Sequence, residues 1–398
     1  MKTKLLWATA AVILIAIPIF GAWLVRELPE WDWNRVEKQA RAEGVPLTVQ
    51  EALKGYEPGP DSENAAEGAK KVLRMILKPP KKDQAEFQGG LKEPYAATAK
   101  DANLEVEFAS KSHRKPNPVP LRKAVQAYAE PLRKLEAALE KPNWNFKRKW
   151  NDGAAMLLPD LAQLKSLSKT LKAEALLAAM DGDDATTERS IEAMLRLGKH
   201  MRTEPNLICV LVGISVQKMG YSAATESVRI AKPGSNLKTR LLKVVDTKIE
   251  PVDWRRCWQV EQASTLAMLP MVTSTKGLYE LGFREDANAA IRSRSAMLKT
   301  QSAVVRLLME AHKDWQDNST SNEKSIYISN KYEAAIFQPY HRYHDVFRML
   351  DNGVNESYER CPAALQDLER LRLSTLEDLR HPPGPSSQTA PTSTSPRS

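Results

Sequence analysis

The sequence of 398 residues contains little cysteine, glycine or aromatic side chain. Its three cysteines are too few for a disulfide scaffold or for a zinc site built from paired Cys-x-x-Cys motifs. The 17 glycines and the aromatic content of 7% are low for a β-sandwich or barrel, in which turn glycines and β-branched runs recur about every 8–12 residues. These shortages predict an all-α protein, and the chain is long enough to bury a large core.

The sequence also lacks the motifs of the commonest enzyme folds. It has no Gly-x-Ser-x-Gly nucleophile elbow, no phosphate-binding P-loop and no dinucleotide fingerprint. We therefore predict no catalytic residue and no cofactor, and no reaction follows from the sequence alone.

A long uncharged run is present near the N-terminus. Residues 1–4 form a short basic leader, and the 21 residues from Leu5 to Val25 carry no charge. A helix needs about 20 residues to cross a bilayer core, so this run predicts a transmembrane signal anchor. A cleaved signal peptide is the alternative, but cleavage after Ala22 puts the bulky Phe20 at the third position before the cut. We predict a single-pass protein of the cytoplasmic (inner) membrane whose body lies on the extracytoplasmic, periplasmic side.

The strongest helical periodicity lies between Pro159 and Arg229. Its apolar residues recur every three or four positions in two runs, which a stretch from Met180 to Asp184 separates. In that stretch Gly182 suits the left-handed end of one helix, and an Asp suits the cap of the next. A third, nearly all-apolar segment follows Pro205. The pattern predicts antiparallel helical hairpins with the third helix buried between its neighbours.

The region before this core mixes short helices with irregular chain. Thr48 and Glu51 form a capping-box pattern. From Lys81 to Pro120 the helical pattern breaks up among prolines and glycines, and we expect an irregular connection there. Within it Leu104, Val106 and Phe108 alternate with charged residues, as in a short strand.

The tail of the chain is rich in Pro, Ser and Thr, and we expect it to be disordered. The sequence as a whole divides into five predicted segments. These segments are a cytoplasmic leader (1–4), a transmembrane signal anchor (5–25), a basic helical and irregular region (26–150), a helical core domain (151–380) and the disordered tail (381–398).

The order of these features resembles a diffuse group of uncharacterised bacterial membrane-anchored proteins. The resemblance rests on the anchor, the Gly-x-Pro-Leu-Thr segment at Gly44 to Thr48, Asn64-Ala65-Ala66, the Gly-Asp turn after an Ala-rich helix, and the apolar helix after Glu204-Pro205. It implies loosely tetratricopeptide-like helical hairpins outside the cytoplasmic membrane, with no assigned activity. It covers Trp33 to Lys78 and Leu158 to Glu261, and a regular repeat of about 34 residues is absent.

Positive charge is concentrated between Ala66 and Trp150. This stretch contains 19 Lys or Arg residues but only 10 Asp or Glu residues. One interpretation is a surface that binds anionic lipid or envelope polymers. The alternative is a solvated basic face whose Trp144, Phe146 and Trp150 pack into the core. The residues assigned to the binding surface are Lys78, Lys81, Lys82, Arg114, Lys115, Lys147, Arg148 and Lys149.

The densest group of potential metal ligands is His341, His344 and Asp345. On a helix the two histidines are three residues apart and share a face, so with a carboxylate they suit a divalent metal that activates water. The alternative is a pair of half-exposed imidazoles at a helix start, because the helical His-Glu-x-x-His pattern is absent.

Three functions remain open at this stage. The first expectation is a protein-interaction or scaffold module of the cell envelope, because helical hairpins offer extended binding faces and no catalytic constellation competes with that use. A metal-dependent hydrolase and a binder of anionic surfaces are the alternatives. The expected partners are the membrane, through residues 5–25, and other envelope proteins, whereas nucleic acid is disfavoured by export.

Overall fold

The computed structural model describes residues 27–56, 59–82, 84, 86–150, 156, 158–268, 294–318 and 345–381. Throughout these residues the regular structure is helical, with no strand and only two isolated β-bridges. The prediction of an all-α fold is therefore confirmed for the described chain. The predicted leader, the anchor at 5–25 and the tail from 382 onward lie outside the described residues.

We number the helices in chain order. They are α1 (27–42), α2 (Val49–Ala52), α3 (Ala65–Ile76), α4 (Tyr95–Ser112), α5 (Pro118–Leu139), α6 (Pro159–Asp181), α7 (Asp184–Met201), α8 (Leu207–Ile230), α9 (Leu237–Val245), α10 (Trp254–Met268), α11 (Arg294–Asn318) and α12 (Asp345–Arg380), with a single 3-10 turn at Asp61–Glu63.

Helices α6, α7 and α8 form the centre of the molecule, and each packs against the other two. Gly182 ends α6 with a φ of +81°, a left-handed conformation in which glycine carries no steric penalty. The Asp183 carboxylate then accepts a hydrogen bond from the Thr186 backbone N–H at 3.0 Å and caps α7. The hairpin predicted around the Gly-Asp turn is confirmed.

Helix α8 is the most apolar element of the described chain. Asn206 caps it, accepting hydrogen bonds from the backbone N–H groups of Ile208 and Cys209. Among the described helices only α8 is long and apolar enough to cross a bilayer, yet most of its surface is covered by protein. It contacts α6, α7 and α12, so its apolar length is that of a central core helix.

A second layer, α3 to α5, packs against α6 and α7. The buried Asn64 holds the start of α3 against the segment that follows α5. Its side chain caps α3 and also exchanges hydrogen bonds with the backbone of Asn145 at 2.8 and 2.9 Å. One cluster of buried apolar side chains extends from Val36 to Leu379 and includes residues of both predicted regions, 26–150 and 151–380.

The prediction of an irregular connection with a short strand between Lys81 and Pro120 is wrong for residues 95–112. Residues 95–112 form α4, and Leu104 and Phe108 are exposed on it. The buried face of α4 consists of small residues at helical spacing, with alanines supplying most of it. The apparent two-residue alternation arose because Leu104 and Phe108 face solvent, while the buried side chains of α4 are mostly alanines. The buried residues of α4 are Ala99, Ala102, Val106 and Ala109.

Candidate functional site

The predicted anionic-surface residues divide into three groups. Lys147 is exposed but pairs with Asp61 at 2.7 Å, and Arg114 pairs with Glu105 at 2.7 Å. Arg148 lies in the interior. The remaining five lysines are exposed, and their role in binding anionic surfaces stays a prediction; they are Lys78, Lys81, Lys82, Lys115 and Lys149.

Two aromatic side chains of that region, Trp144 and Phe146, belong to the core. Trp144 and Phe146 are buried with ring centroids 5.3 Å apart, and Trp144 stacks on His200 of α7. The alternative that these two aromatics pack inward is confirmed. They are therefore unavailable as a stacking platform for a surface ligand.

Arg148 forms the centre of a buried ionic network. Its Nη1 and Nη2 donate to the two carboxylate oxygens of Asp160 at 2.6 and 2.8 Å, and its Nε donates to Glu204 Oε2 at 2.8 Å. The Cys209 thiol and the Phe146 backbone N–H also donate to Glu204, at 3.1 and 3.2 Å. The network joins the segment after α5 to α6, to the α7–α8 turn and to α8. Arg148 therefore does not belong to the predicted binding surface, because its charge is compensated inside the protein by Asp160 and Glu204.

The metal-site prediction cannot be placed in the fold. His341 and His344 lie outside the described residues, and Asp345 is the first described residue of α12, its side chain outside the description. Within the described ranges no three His, Cys, Asp or Glu side chains gather as a metal-binding group. The hydrolase hypothesis stays a prediction.

A cavity of about 430 Å³ lies between α7, α8 and the segment from α9 to Glu250. We call it the Arg202 cavity, after the arginine that ends α7. Its volume falls within the range of about 300–1,000 Å³ that is usual for small-molecule sites. Of the polar residues that line it, Arg202, Gln217 and Tyr221 are buried.

The Arg202 cavity is built on a close approach of two glycines. A Cβ on Gly198 would lie 2.5 Å from the Gly213 carbonyl oxygen, and a Cβ on Gly213 would lie 2.6 Å from the Gly198 carbonyl oxygen. Both positions therefore exclude a side chain. Four residues after each glycine stands a polar residue, and each packs against the glycine of the other helix: Arg202 against Gly213 and Gln217 against Gly198.

Arg202 is a buried cation without a carboxylate partner among the described residues. The residue is 6% exposed. Its Nη1 donates to the Glu250 carbonyl oxygen at 2.9 Å, while Nε is enclosed and no described residue accepts its hydrogen bond. Burial lowers the pKa of Arg202, and the nearby Tyr221 and Glu250 offset this only in part. An unpaired interior charge is costly, because its hydration is lost without full compensation.

The carboxylates that line the Arg202 cavity already have cationic partners. Glu192 pairs with Arg196 at 2.7 Å, Glu250 with Lys199 at 2.6 Å, and Glu188 with Arg240. In the described part of the chain, Arg202, Lys243 and Lys248 also line the cavity and have no carboxylate partner. The cavity therefore carries excess positive charge and favours an anion.

Two buried neutral polar residues also line the Arg202 cavity. Gln217 and Tyr221 lie one turn apart on the same face of α8, and both are buried. The Gln217 Oε1 atom is enclosed and no described residue donates to it. Burial raises the pKa of Tyr221 to about 12, so its hydroxyl stays protonated and able to donate a hydrogen bond.

The sequence reasoning missed this cavity. Its only local indications were Gly198 and Gly213, glycines inside predicted helices, and the polar Gln217 within an apolar helix. An isolated glycine in a helix often marks a close packing contact. The pairing of the two glycines, which brings Arg202 and Gln217 to one cavity, is a tertiary feature that no spacing in the sequence indicates.

No known protein family, no curated protein and no solved structure matches this chain. The resemblance to a group of uncharacterised bacterial anchored proteins therefore stays a prediction. Any function has to be argued from the site itself.

Proposed function

We propose that the protein is a membrane-anchored binding module of the cell envelope that captures a small anionic ligand in the Arg202 cavity. In this proposal residues 5–25 hold the chain in the inner membrane, and the loosely tetratricopeptide-like hairpins form an extracytoplasmic body. The sequence predicted an interaction module without a defined site, and the proposal adds one site and one class of ligand.

The observation that carries the proposal is the unpaired guanidinium of Arg202. Most interior arginines are neutralised by carboxylates, and one without such a partner destabilises the fold. A bound oxyanion would accept hydrogen bonds from the guanidinium and compensate its charge, which is an interaction that guanidinium favours. Lys243 and Lys248 add attraction at the rim.

Binding of simple anions to the full-length protein in detergent tests the proposal. Isothermal titration with phosphate, pyrophosphate and citrate at low salt should show binding by at least one of them. Arg202→Gln should weaken that binding by about ten- to a hundredfold, because a hydrogen bond to a charged group contributes ~1.5–3 kcal/mol.

Arg122→Gln is the matched control. Arg122 pairs with Asp181, and neither residue lines the Arg202 cavity, so its loss should leave the affinity nearly unchanged. Equal affinity of Arg202→Gln and the unaltered protein, or no binding of the three anions at millimolar concentration, would contradict the proposal.

A further inference from the structure

We infer that a second anion-binding site lies in a surface cleft between α1, α2, α10 and α11, and that it takes an oxyanion with two negative charges. We call it the Arg255 cleft, after the half-buried arginine on α10. Its volume is about 540 Å³, within the range usual for small-molecule sites. It shares no lining residue with the Arg202 cavity, so the inference goes beyond the proposed function.

The Arg255 cleft is formed by parts of the chain that are distant in sequence. Gly44 follows α1 with a φ of +75°, a left-handed conformation that glycine adopts without steric penalty, and Val45 and Pro46 after it line the cleft. Residues of α1, α2, α10 and α11 supply the remaining lining. The charges of the cleft therefore come together only in the folded protein.

The two carboxylates that line the cleft are both bound to backbone N–H groups. Glu51 Oε2 accepts hydrogen bonds from the backbone N–H groups of Leu47 and Thr48 at 2.8 and 3.1 Å. Asp253 Oδ1 accepts from the backbone N–H of Arg256 at 3.0 Å, in the manner of a helix cap at the start of α10. These bonds fix the positions of both negative charges.

The cations that line the cleft outnumber these carboxylates by two. Arg41 is compensated, because it pairs with carboxylates on α1 and α2. Asp253 lies 3.5 Å from Arg256 and offsets the burial of Arg255 only in part, so the pKa of Arg255 is lowered. Lys54 is exposed and has no carboxylate partner among the described residues. The lining cations are Arg41, Lys54, Arg255 and Arg256, and the lining carboxylates are Glu51 and Asp253.

A doubly charged oxyanion fits this excess of two positive charges. Guanidinium groups present several N–H donors in one plane and favour the oxygens of carboxylate, phosphate and sulfate. A cationic ligand would be repelled, and a neutral ligand would leave the excess charge uncompensated.

His312 gives the Arg255 cleft a property that the Arg202 cavity lacks. It lines the cleft on α11 and is buried, with its Nε2 3.0 Å from the amide nitrogen of Gln316. Burial and the charge of Arg255 lower the pKa of His312, while Glu43, which pairs with Lys313, raises it. An anion beside Arg255 would counter its repulsion and raise the pKa of His312. Binding should therefore be coupled to proton uptake.

Titration of sulfate into the full-length protein in detergent at low salt tests the inference. Arg255→Gln should weaken sulfate binding by about ten- to a hundredfold, because a hydrogen bond to a charged group is lost. Lys54→Gln, at an exposed position that the fold does not depend on, should weaken it by up to about fivefold. Arg122→Gln, which is exposed and does not line the cleft, is the control and should leave the affinity unchanged.

The pH dependence of sulfate binding separates a direct role of the cleft from a structural one. Sulfate keeps both charges between about pH 7.5 and about pH 5.5, whereas histidine titrates there. Because the bound state holds the higher pKa of His312, affinity should rise as the pH falls, by at most about tenfold per pH unit for one proton. His312→Gln should remove this part of the rise. An equal rise in His312→Gln and the unaltered protein would place the anion away from Arg255 and overturn the assignment.

The variants also distinguish this inference from the proposed function. Sulfate binding that Arg255→Gln weakens and Arg202→Gln leaves unchanged would support the Arg255 cleft. Binding that only Arg202→Gln weakens would overturn the second site and leave the proposed function standing. Absence of sulfate binding at millimolar concentration would overturn the second site, while binding of other anions at Arg202 would still be judged by its own titration.

Discussion

Two interior arginines mark two regions of the molecule that differ in how the fold compensates a buried charge. The side chain of Arg148 and the whole residue Arg202 are each only 6% exposed. Arg148 donates three hydrogen bonds to the carboxylates of Asp160 and Glu204, while Arg202 donates one to a backbone carbonyl. The charge of Arg148 is thus compensated by two carboxylates, whereas that of Arg202 is met only by a backbone carbonyl among the described residues.

The pKa directions of the two arginines follow this difference. Burial lowers the pKa of Arg148, but the carboxylates of Glu204 and Asp160 outweigh burial and raise it above the ordinary value. For Arg202 burial prevails and the pKa is lowered. An interior group that weakens the fold is typical of a functional site, where binding rather than stability maintains the residue.

The largest expected effect is on the stability of the Arg148 network. Arg148→Met should lower the free energy of unfolding by about 3–5 kcal/mol, because Asp160 and Glu204 would remain buried without a cation. Urea unfolding followed by circular dichroism measures this change. Lys149→Met, at the exposed neighbouring position, should alter the free energy by less than about 0.5 kcal/mol.

A loss below about 1 kcal/mol for Arg148→Met would remove the distinction between the two regions. It would mean that the two carboxylates find other partners or become protonated without penalty. Arg148 would then be an exchangeable interior residue rather than the link between the second layer and the central helices.

The next largest effect concerns the glycine contact that shapes the Arg202 cavity. Gly198→Ala should destabilise the protein by about 1–3 kcal/mol, because the new Cβ would lie 2.5 Å from the Gly213 carbonyl oxygen and force α7 and α8 apart. The midpoint of urea unfolding measures this. The same change should weaken anion binding, since the separation moves Arg202 away from Gln217.

Gly90→Ala is the matched control for the glycine change. A Cβ at Gly90 would meet no atom within 4 Å, so this variant should keep both the stability and the anion affinity. If Gly198→Ala behaved like Gly90→Ala, the close approach of α7 and α8 would not determine the shape of the cavity.

Local patterns were sufficient to predict much of the fold. The Gly182-Asp183 turn and the capping box of Thr48 and Glu51 are confirmed, because each depends only on residues a few positions apart. The apolar character of α8 also predicted its burial correctly. Helix α4 was missed because its contact face is made of alanines, which a search for large apolar residues overlooks.

Charge was the least informative part of the sequence. Arg148 and Lys149 are neighbours with similar side chains, yet one is an interior network centre and the other is exposed. Only the folded chain decides which cation meets Asp160 and Glu204. For the same reason no sequence pattern indicated that Arg202 is buried with no carboxylate partner among the residues that the structure describes.

The most direct test of this account is the unfolding free energy of Arg202→Met with and without whichever of phosphate, pyrophosphate and citrate binds the unaltered protein most tightly. Met retains the packing of the side-chain stem and removes the unpaired charge, so the ligand-free variant should be as stable as the unaltered protein or more stable. Ligand at a hundred times its dissociation constant should stabilise the unaltered protein by about 2.7 kcal/mol and the variant hardly at all. A loss of about 3–5 kcal/mol in the ligand-free variant, equal to that of Arg148→Met, would show that Arg202 serves the fold and would contradict the account.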